Sequence, residues 1–368
     1  MKLKKMFTRR IEDPSPTYRM FYRLFIKELR KKKDAPERYY QGKPNPDVPS
    51  LSGMDGVVRL NSTYLEFVDR DYHLRGQWAL IGGGVFSMMF FGCFLWPICH
   101  ALYSPPKFPM SYWGIMSIAW LFFILPVSVA FFAALCSEVF AYTYYPIRLN
   151  RKNQMVYMYR GKDNVLAVPW RDLAFVVLSI RSRFTENSSI LGCIMDQDGE
   201  TVKEVIPLPA NLTWGKESLP MLWEFIRCYM EEDEENLPDL ADTIPYCPPV
   251  ENRREGWWFG MLYLSKVNHK LDLLMMLPLV PFLLVMATFR WMVMTTSKIP
   301  VWPEDVEAAC RVEADDPVNR GAEHNPRQVW RPMLALQGPE RYQRSFAKER
   351  GAMDRVIARL KAKYPHLS

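Results

Sequence analysis

The sequence predicts a membrane protein of the α+β class: a two-helix transmembrane hairpin, then an antiparallel sheet capped by one helix, with further amphipathic and interfacial helices around them. Three observations predict it. Two long runs without Asp, Glu, Lys or Arg stand close together, short alternating strands follow them, and basic residues crowd the flanks of the runs rather than the segment between.

The first run extends from Trp78 to Tyr103 and the second from Trp113 to Cys136. Each exceeds the roughly 20 residues that an α-helix needs to cross a bilayer core. Trp78, Trp96, Tyr103, Tyr112 and Trp113 lie toward the run ends, where amphipathic rings favour headgroups, and Pro126 is tolerable inside a membrane helix. The connecting segment holds Lys107 alone, whereas Arg30 to Lys33 precede the pair and Arg148, Arg151 and Lys152 follow it. Positive charge stays cytoplasmic, so both flanks are expected there. Two helices buried in a soluble core are the competing reading.

The chain then divides into six expected regions. Residues 1–77 form a basic N-terminal region, in which PTYRMFYRLFIKELRKKK has helical apolar spacing and DGVVRLNSTYLEFVDR reads as strand. Residues 78–142 are the hairpin. Residues 143–232 carry PIRLNRKNQMVYMYR, VLAVPW and LAFVVLSI, a strand pair around Asp198 and Gly199, and a closing helix in SLPMLWEFIRCYMEE. Residues 233–270 form an acidic, proline-containing linker, read as solvated. Residues 271–294 hold a third apolar run, Leu273 to Phe289. It reads as re-entrant or interfacial, because a crossing would export the many Lys and Arg of residues 295–368, with a spanning helix as the alternative. Arg290, Trp291 and Lys298 suit anchoring at the interface. The tail from Arg341 to Tyr364 reads as one basic amphipathic helix.

Lys and Arg number 47 against 40 Asp and Glu, a net charge of +7 that suits anionic lipid or nucleic acid equally. The charge lies beside lipid and no nucleic-acid motif accompanies it, so no nucleic-acid partner is expected. Seven cysteines stand singly, without zinc or disulfide spacing, which predicts a reducing compartment for the soluble part. The basic start MKLKKMFTRR has no apolar segment after it, so no secretory signal is expected. Elbow, phosphate-loop and HExxH motifs are all missing, and the five histidines share no ligand spacing. We therefore expect no enzyme, no cofactor and no metal. Gly82 to Gly84 sit inside the first apolar run, where they allow close helix packing.

Arg148, Arg151, Lys152, Arg160 and Lys162 cluster on the first strand pair, where they are expected to meet anionic headgroups or an acidic partner. Topology-setting charge without a ligand is the other reading.

The sheet block resembles the small pleckstrin-homology-like modules found beside bacterial membrane spans. RLNRKNQMVYMYR, VPWRDLAFVV and SKIPVWPEDVEAAC resemble an uncharacterised family of bacterial membrane proteins encoded near type VI secretion genes, similar to DUF6708, over Tyr145 to Pro317. In that resemblance Arg148, Asn150, Arg151, Trp170, Trp302 and Pro303 occupy recurring positions. It implies a multi-pass protein of the bacterial inner membrane with a cytoplasmic N-terminus. The expected function is an immunity or accessory protein that binds a cognate toxin or secretion component, with membrane lipid as second partner. A membrane-active effector and a lipid-sensing scaffold are the alternatives.

Overall fold

Strand alternation decides which side chains enter the core. In the strand Ile147–Asn150, Ile147 and Leu149 point into the main hydrophobic core, and Arg148 and Asn150 take the opposite face. Met155–Tyr159 repeats the rule: Val156 and Met158 face that core, while Tyr157 and Tyr159 face a second cluster with Trp302, Val306 and Cys310. Both faces of this sheet are therefore covered.

The computed structural model describes residues 37–89, 91, 125–161, 164–181, 186–196, 202–209, 216–266, 277–330 and 346–366. Ten strands lie among them: β1 (Arg38–Tyr39), β2 (Val57–Asn61), β3 (Tyr64–Phe67), β4 (Ile147–Asn150), β5 (Met155–Tyr159), β6 (Val165–Pro169), β7 (Leu173–Arg181), β8 (Glu186–Met195), β9 (Val202–Pro207) and β10 (Asn319–Gly321). They form two antiparallel sheets, one ordered β10-β2-β3-β4-β5-β6 and the other β1-β7-β8-β9. The helices are α1 (Gln77–Met89), α2 (Leu125–Glu138), α3 (Leu219–Glu231), α4 (Leu237–Asp242), α5 (Trp257–Lys266), α6 (Val280–Thr296), α7 (Glu304–Ala309) and α8 (Ala347–Lys363).

Local chemistry sets the turns. Asn61 Oδ1 accepts the N–H groups of Thr63 (2.9 Å) and Tyr64 (2.7 Å), which folds the β2–β3 hairpin. Asn150 Oδ1 does the same for Asn153 at 3.0 Å after β4, and its amide nitrogen donates to the Ala309 carbonyl at 2.8 Å, tying the turn to α7. The chain changes sheets at Trp170, directly after β6. The Trp170 ring lies parallel to Trp223 of α3, 5.9 Å away, so α3 fills the space that both sheets share.

Phe67 pairs directly with Ile147, so the chain leaves the sheet at the end of β3 and returns beside its point of exit. Everything between, α1 and α2 included, is an excursion from one sheet end. The six-stranded sheet thus takes strands from residues 57–67 and 319–321 as well as from the 143–232 block. The expected single capped sheet is corrected to two sheets that draw on distant segments, because β2, β3 and β10 complete what β4 to β6 begin.

The two-helix transmembrane hairpin, and with it the multi-pass inner-membrane placement, is corrected too. Among the described residues the first apolar run supplies α1 and the second supplies α2, and neither qualifies there as long and apolar enough to cross a membrane. One stretch, Leu277–Thr296, is long and apolar enough to cross a membrane. It is helical over 20 residues. An uncharged run has the same composition whether it crosses lipid or packs against other helices, so composition alone does not separate the two. The rest of both runs, the N-terminal amphipathic helix, the Asp198–Gly199 turn and Lys162 lie outside the described residues.

The acidic run after α3 is not a solvated linker. Its α4 packs against α8, where Asp239 holds Arg355 and Arg359 at 2.7 Å each, and Lys363 reaches Glu232 (3.0 Å) and Asp233 (2.6 Å). Burial at Glu232 is overcome by Lys363 and Arg227, which hold its carboxyl below the usual range. Two charge runs far apart in sequence neutralise each other.

Candidate functional site

One stripe of α6 faces protein: Leu283, Ala287, Arg290, Val293 and Met294 are buried, at the spacing of a single helix face. The other sides are apolar too, yet open. Leu277 is 58% exposed, Phe282 56% and Val285 47%, and little more than a quarter of the helix is buried. A helix that is apolar all round belongs in a large core or in lipid, and among the described residues none forms a core around the outer half of this one. Ile81 on α1 and Val129 and Phe132 on α2 are exposed as well. These helices touch: α1 packs on α2 and α6, and α5 packs on α6 through Leu264, Leu283 and Ala287. Gly83 makes the α1–α6 approach possible, since a Cβ there would stand 2.9 Å from the Phe289 ring.

All four helices are rooted at one level. The Glu138 carboxylate, at the end of α2, accepts the Ala79 N–H at the start of α1 at 2.8 Å. The backbone after α6 bonds the backbone after α2, Lys298 N–H to Ala141 O at 2.7 Å and Thr143 N–H to Lys298 O at 2.8 Å. Just before α5, Glu255 takes both forks of Arg290 from α6 at 2.8 Å each. Arg290 also donates to the Tyr72 carbonyl at 2.9 Å, and its guanidinium lies 4.7 Å and 5.0 Å from the ring centres of Tyr72 and Tyr263. The Tyr72 hydroxyl donates to Glu255 at 2.5 Å, and His73 stacks on Tyr263 and bonds its hydroxyl. Gly76 passes so close that a Cβ would stand 2.5 Å from Arg290 Cα. The sequence reading took Arg290 for an interfacial anchor; the structure buries it completely. Its signal was legible as a lone charge closing an apolar run.

Asp69, between β3 and the root, accepts the Tyr145 N–H at 2.8 Å. Burial pushes its carboxyl up to about 6, with Asp71 adding and Arg75 opposing. A value raised above the ordinary 3.8 means that the fold favours the protonated form, so this contribution is present at low pH and is lost as pH rises through about 6. Asp69→Asn keeps an acceptor and cannot ionise. We expect it to exceed the natural protein in stability by on the order of 2–3 kcal/mol above about pH 7, with the gap closing toward about pH 4. Thermal melts of both proteins across that range check the trend.

The described basic residues among those expected to meet lipid or a partner are engaged within the chain. Arg148 is buried and pairs with Glu66, its cross-strand neighbour, at 2.5 Å and with Glu307 at 3.0 Å. Tyr144 (2.9 Å) and Trp302 (3.2 Å) also donate to Glu66, and the Arg148 guanidinium lies 4.8 Å from the Trp302 ring centre. Arg151 donates to the carbonyls of Tyr229 and Glu232, Lys152 pairs with Glu313 at 2.5 Å, and Arg160 pairs with Glu204 of the other sheet at 2.7 Å. Trp170 donates to Glu231 at 2.9 Å, and the Pro303 carbonyl starts α7 by accepting the Glu307 N–H at 3.0 Å.

Part of each cluster lies inside the span of a known sequence family. A model described as a family of unknown function, DUF6708, matches residues 123–314, more than half of the chain. The chain belongs to DUF6708. The DUF6708 match begins just before α2, includes Arg148, Trp170, Glu255, Arg290, Trp302 and Pro303, and stops short of β10 and α8. No match was found among curated proteins or solved structures. A surface cleft of about 600 Å3 between α4 and α8, partly outside the DUF6708 span, is lined by Asp242, Arg320, His324 and Lys348. Two of its cations are engaged: Lys348 pairs with Asp242 at 2.7 Å, and Arg320 donates to the Ile244 carbonyl at 2.8 Å. The open apolar side of α6 is the stronger candidate.

Proposed function

We propose that this protein acts by binding rather than by catalysis, and that it is held on a lipid surface by α6, with the two-sheet body presented beside the lipid. The single observation that carries this reading is the apolar outer side of α6, exposed while the opposite stripe is locked to the body by Arg290 and Glu255. Fractionation of cells that make the full chain tests it. The protein should remain with membranes through high salt and through an alkaline carbonate wash, and its release by the wash would contradict attachment through an apolar helix.

The finer reading rests on the resemblance to proteins encoded near type VI secretion genes. In it the body binds a toxin or a secretion component, and the protein serves as immunity or accessory factor. Specific complexes usually bury about 1,200 to 2,000 Å2, which a sheet body can supply and a short loop cannot. Cells lacking the protein should be inhibited by siblings that deliver the neighbouring toxin and be rescued by the full chain. Growth arrest on expression of the chain alone would favour a membrane-active effector instead.

A further inference from the structure

The root of the helix bundle carries a second feature besides its buried ion pair. Into the start of α5 the sequence reads Arg253, Arg254, Glu255, Gly256, Trp257, Trp258. Glu255 turns inward to Arg290, while both arginines are exposed and Trp258 is 59% exposed. Arg254 Nε donates to the Ser297 carbonyl at 3.1 Å, which places this turn beside the end of α6. There Trp291 is 45% exposed and Lys298 is exposed. Trp257 reaches across to Thr288 at 3.4 Å. Three cations and three indoles therefore gather on the α5 and α6 side of the level at which the apolar helices emerge.

We propose that this cluster is a binding collar for anionic phospholipid headgroups. Arg253, Arg254 and Lys298 meet the phosphates, and Trp257, Trp258 and Trp291 lie at the boundary between headgroups and acyl chains. The inference rests on the attachment proposed above and adds what that reading lacks: a lipid class and a depth. Two arguments favour lipid over a protein as the occupant. Indoles gathered at the base of an apolar helix suit a boundary that is wet on one side and apolar on the other. A fully buried charge pair is also expensive in hydrocarbon, so Arg290 and Glu255 set the lower limit of insertion at the level of the collar.

The test makes the full chain by cell-free synthesis with vesicles of phosphatidylcholine alone or mixed in equal parts with phosphatidylglycerol, followed by flotation. The collar requires stronger binding to the anionic vesicles, and high salt should remove that preference without stripping the protein. Arg253→Gln and Lys298→Gln should each weaken the preference by about fivefold, with unchanged circular dichroism. Equal binding to both vesicles, insensitive to salt and to both variants, would overturn the collar and leave attachment standing. Flotation with neither vesicle would overturn both.

Discussion

Arg290→Met is expected to lower the stability of the folded protein by roughly 3–5 kcal/mol, because removing one partner leaves a buried charge without compensation. Glu255 is 1% exposed at its side chain and Arg290 is 0%. With the guanidinium gone, Glu255 keeps the Tyr72 hydroxyl and loses both ionic bonds, while the carbonyl of Tyr72 loses a donor. The loss falls at the root, so α6 should loosen before the sheets do. The double variant Arg290→Met with Glu255→Met removes both charges, and buried pairs replaced by apolar groups of similar size are often neutral. Melting in detergent micelles, followed by near-ultraviolet circular dichroism, should show the double variant recovering most of the loss. Additive losses would mean that the two groups do not act as a pair.

Gly76→Ala should cost a comparable amount, roughly 2–6 kcal/mol, combining about 1–3 for a side chain forced to positive φ and about 1–3 for displaced neighbours. Gly76 has φ +87, and an added Cβ would meet the Arg290 backbone nitrogen at 2.6 Å and Cα at 2.5 Å. Backbone cannot swing aside as a flexible side chain does. Gly84→Ala is the control: nothing lies within 4 Å of its Cβ, and a helical glycine replaced by alanine gains about 0.5–1 kcal/mol. The two changes should therefore differ in sign, as read from the same melts.

The local structure was legible where the pattern was local. The alternation in Met155–Tyr159 and the apolar spacing in Leu219–Glu231 identify a strand and a helix, because each period reports which face is buried. Long-range pairing was not legible. Nothing in the strand Tyr64–Phe67 says that it pairs across the apolar excursion with Ile147–Asn150, nor that Glu66 meets Arg148 there. Arg148, Arg151, Lys152 and Arg160 looked available because a sequence displays cations without their carboxylates. Glu66, Glu313 and Glu204, and the carbonyls of Tyr229 and Glu232, all lie outside the strand pair that carries them. The apolar runs failed in a related way. Composition measures how much apolar surface a segment has, and only packing decides how much is covered. In α6 the open side chains Val280, Phe282 and Leu284 remain on view while Leu283 and Ala287 do not.

That difference along one helix is the account's most exposed point. A photoreactive diazirine that partitions into acyl chains can be activated in membranes holding the full chain, and its adducts mapped by mass spectrometry. The account predicts adducts on Phe282, Leu284 and Val285, with Leu283 and Ala287 spared and the strands β4 to β9 unlabelled. Labelling that avoids residues 277–289, or that falls equally on the sheets, would contradict attachment through the open side of α6.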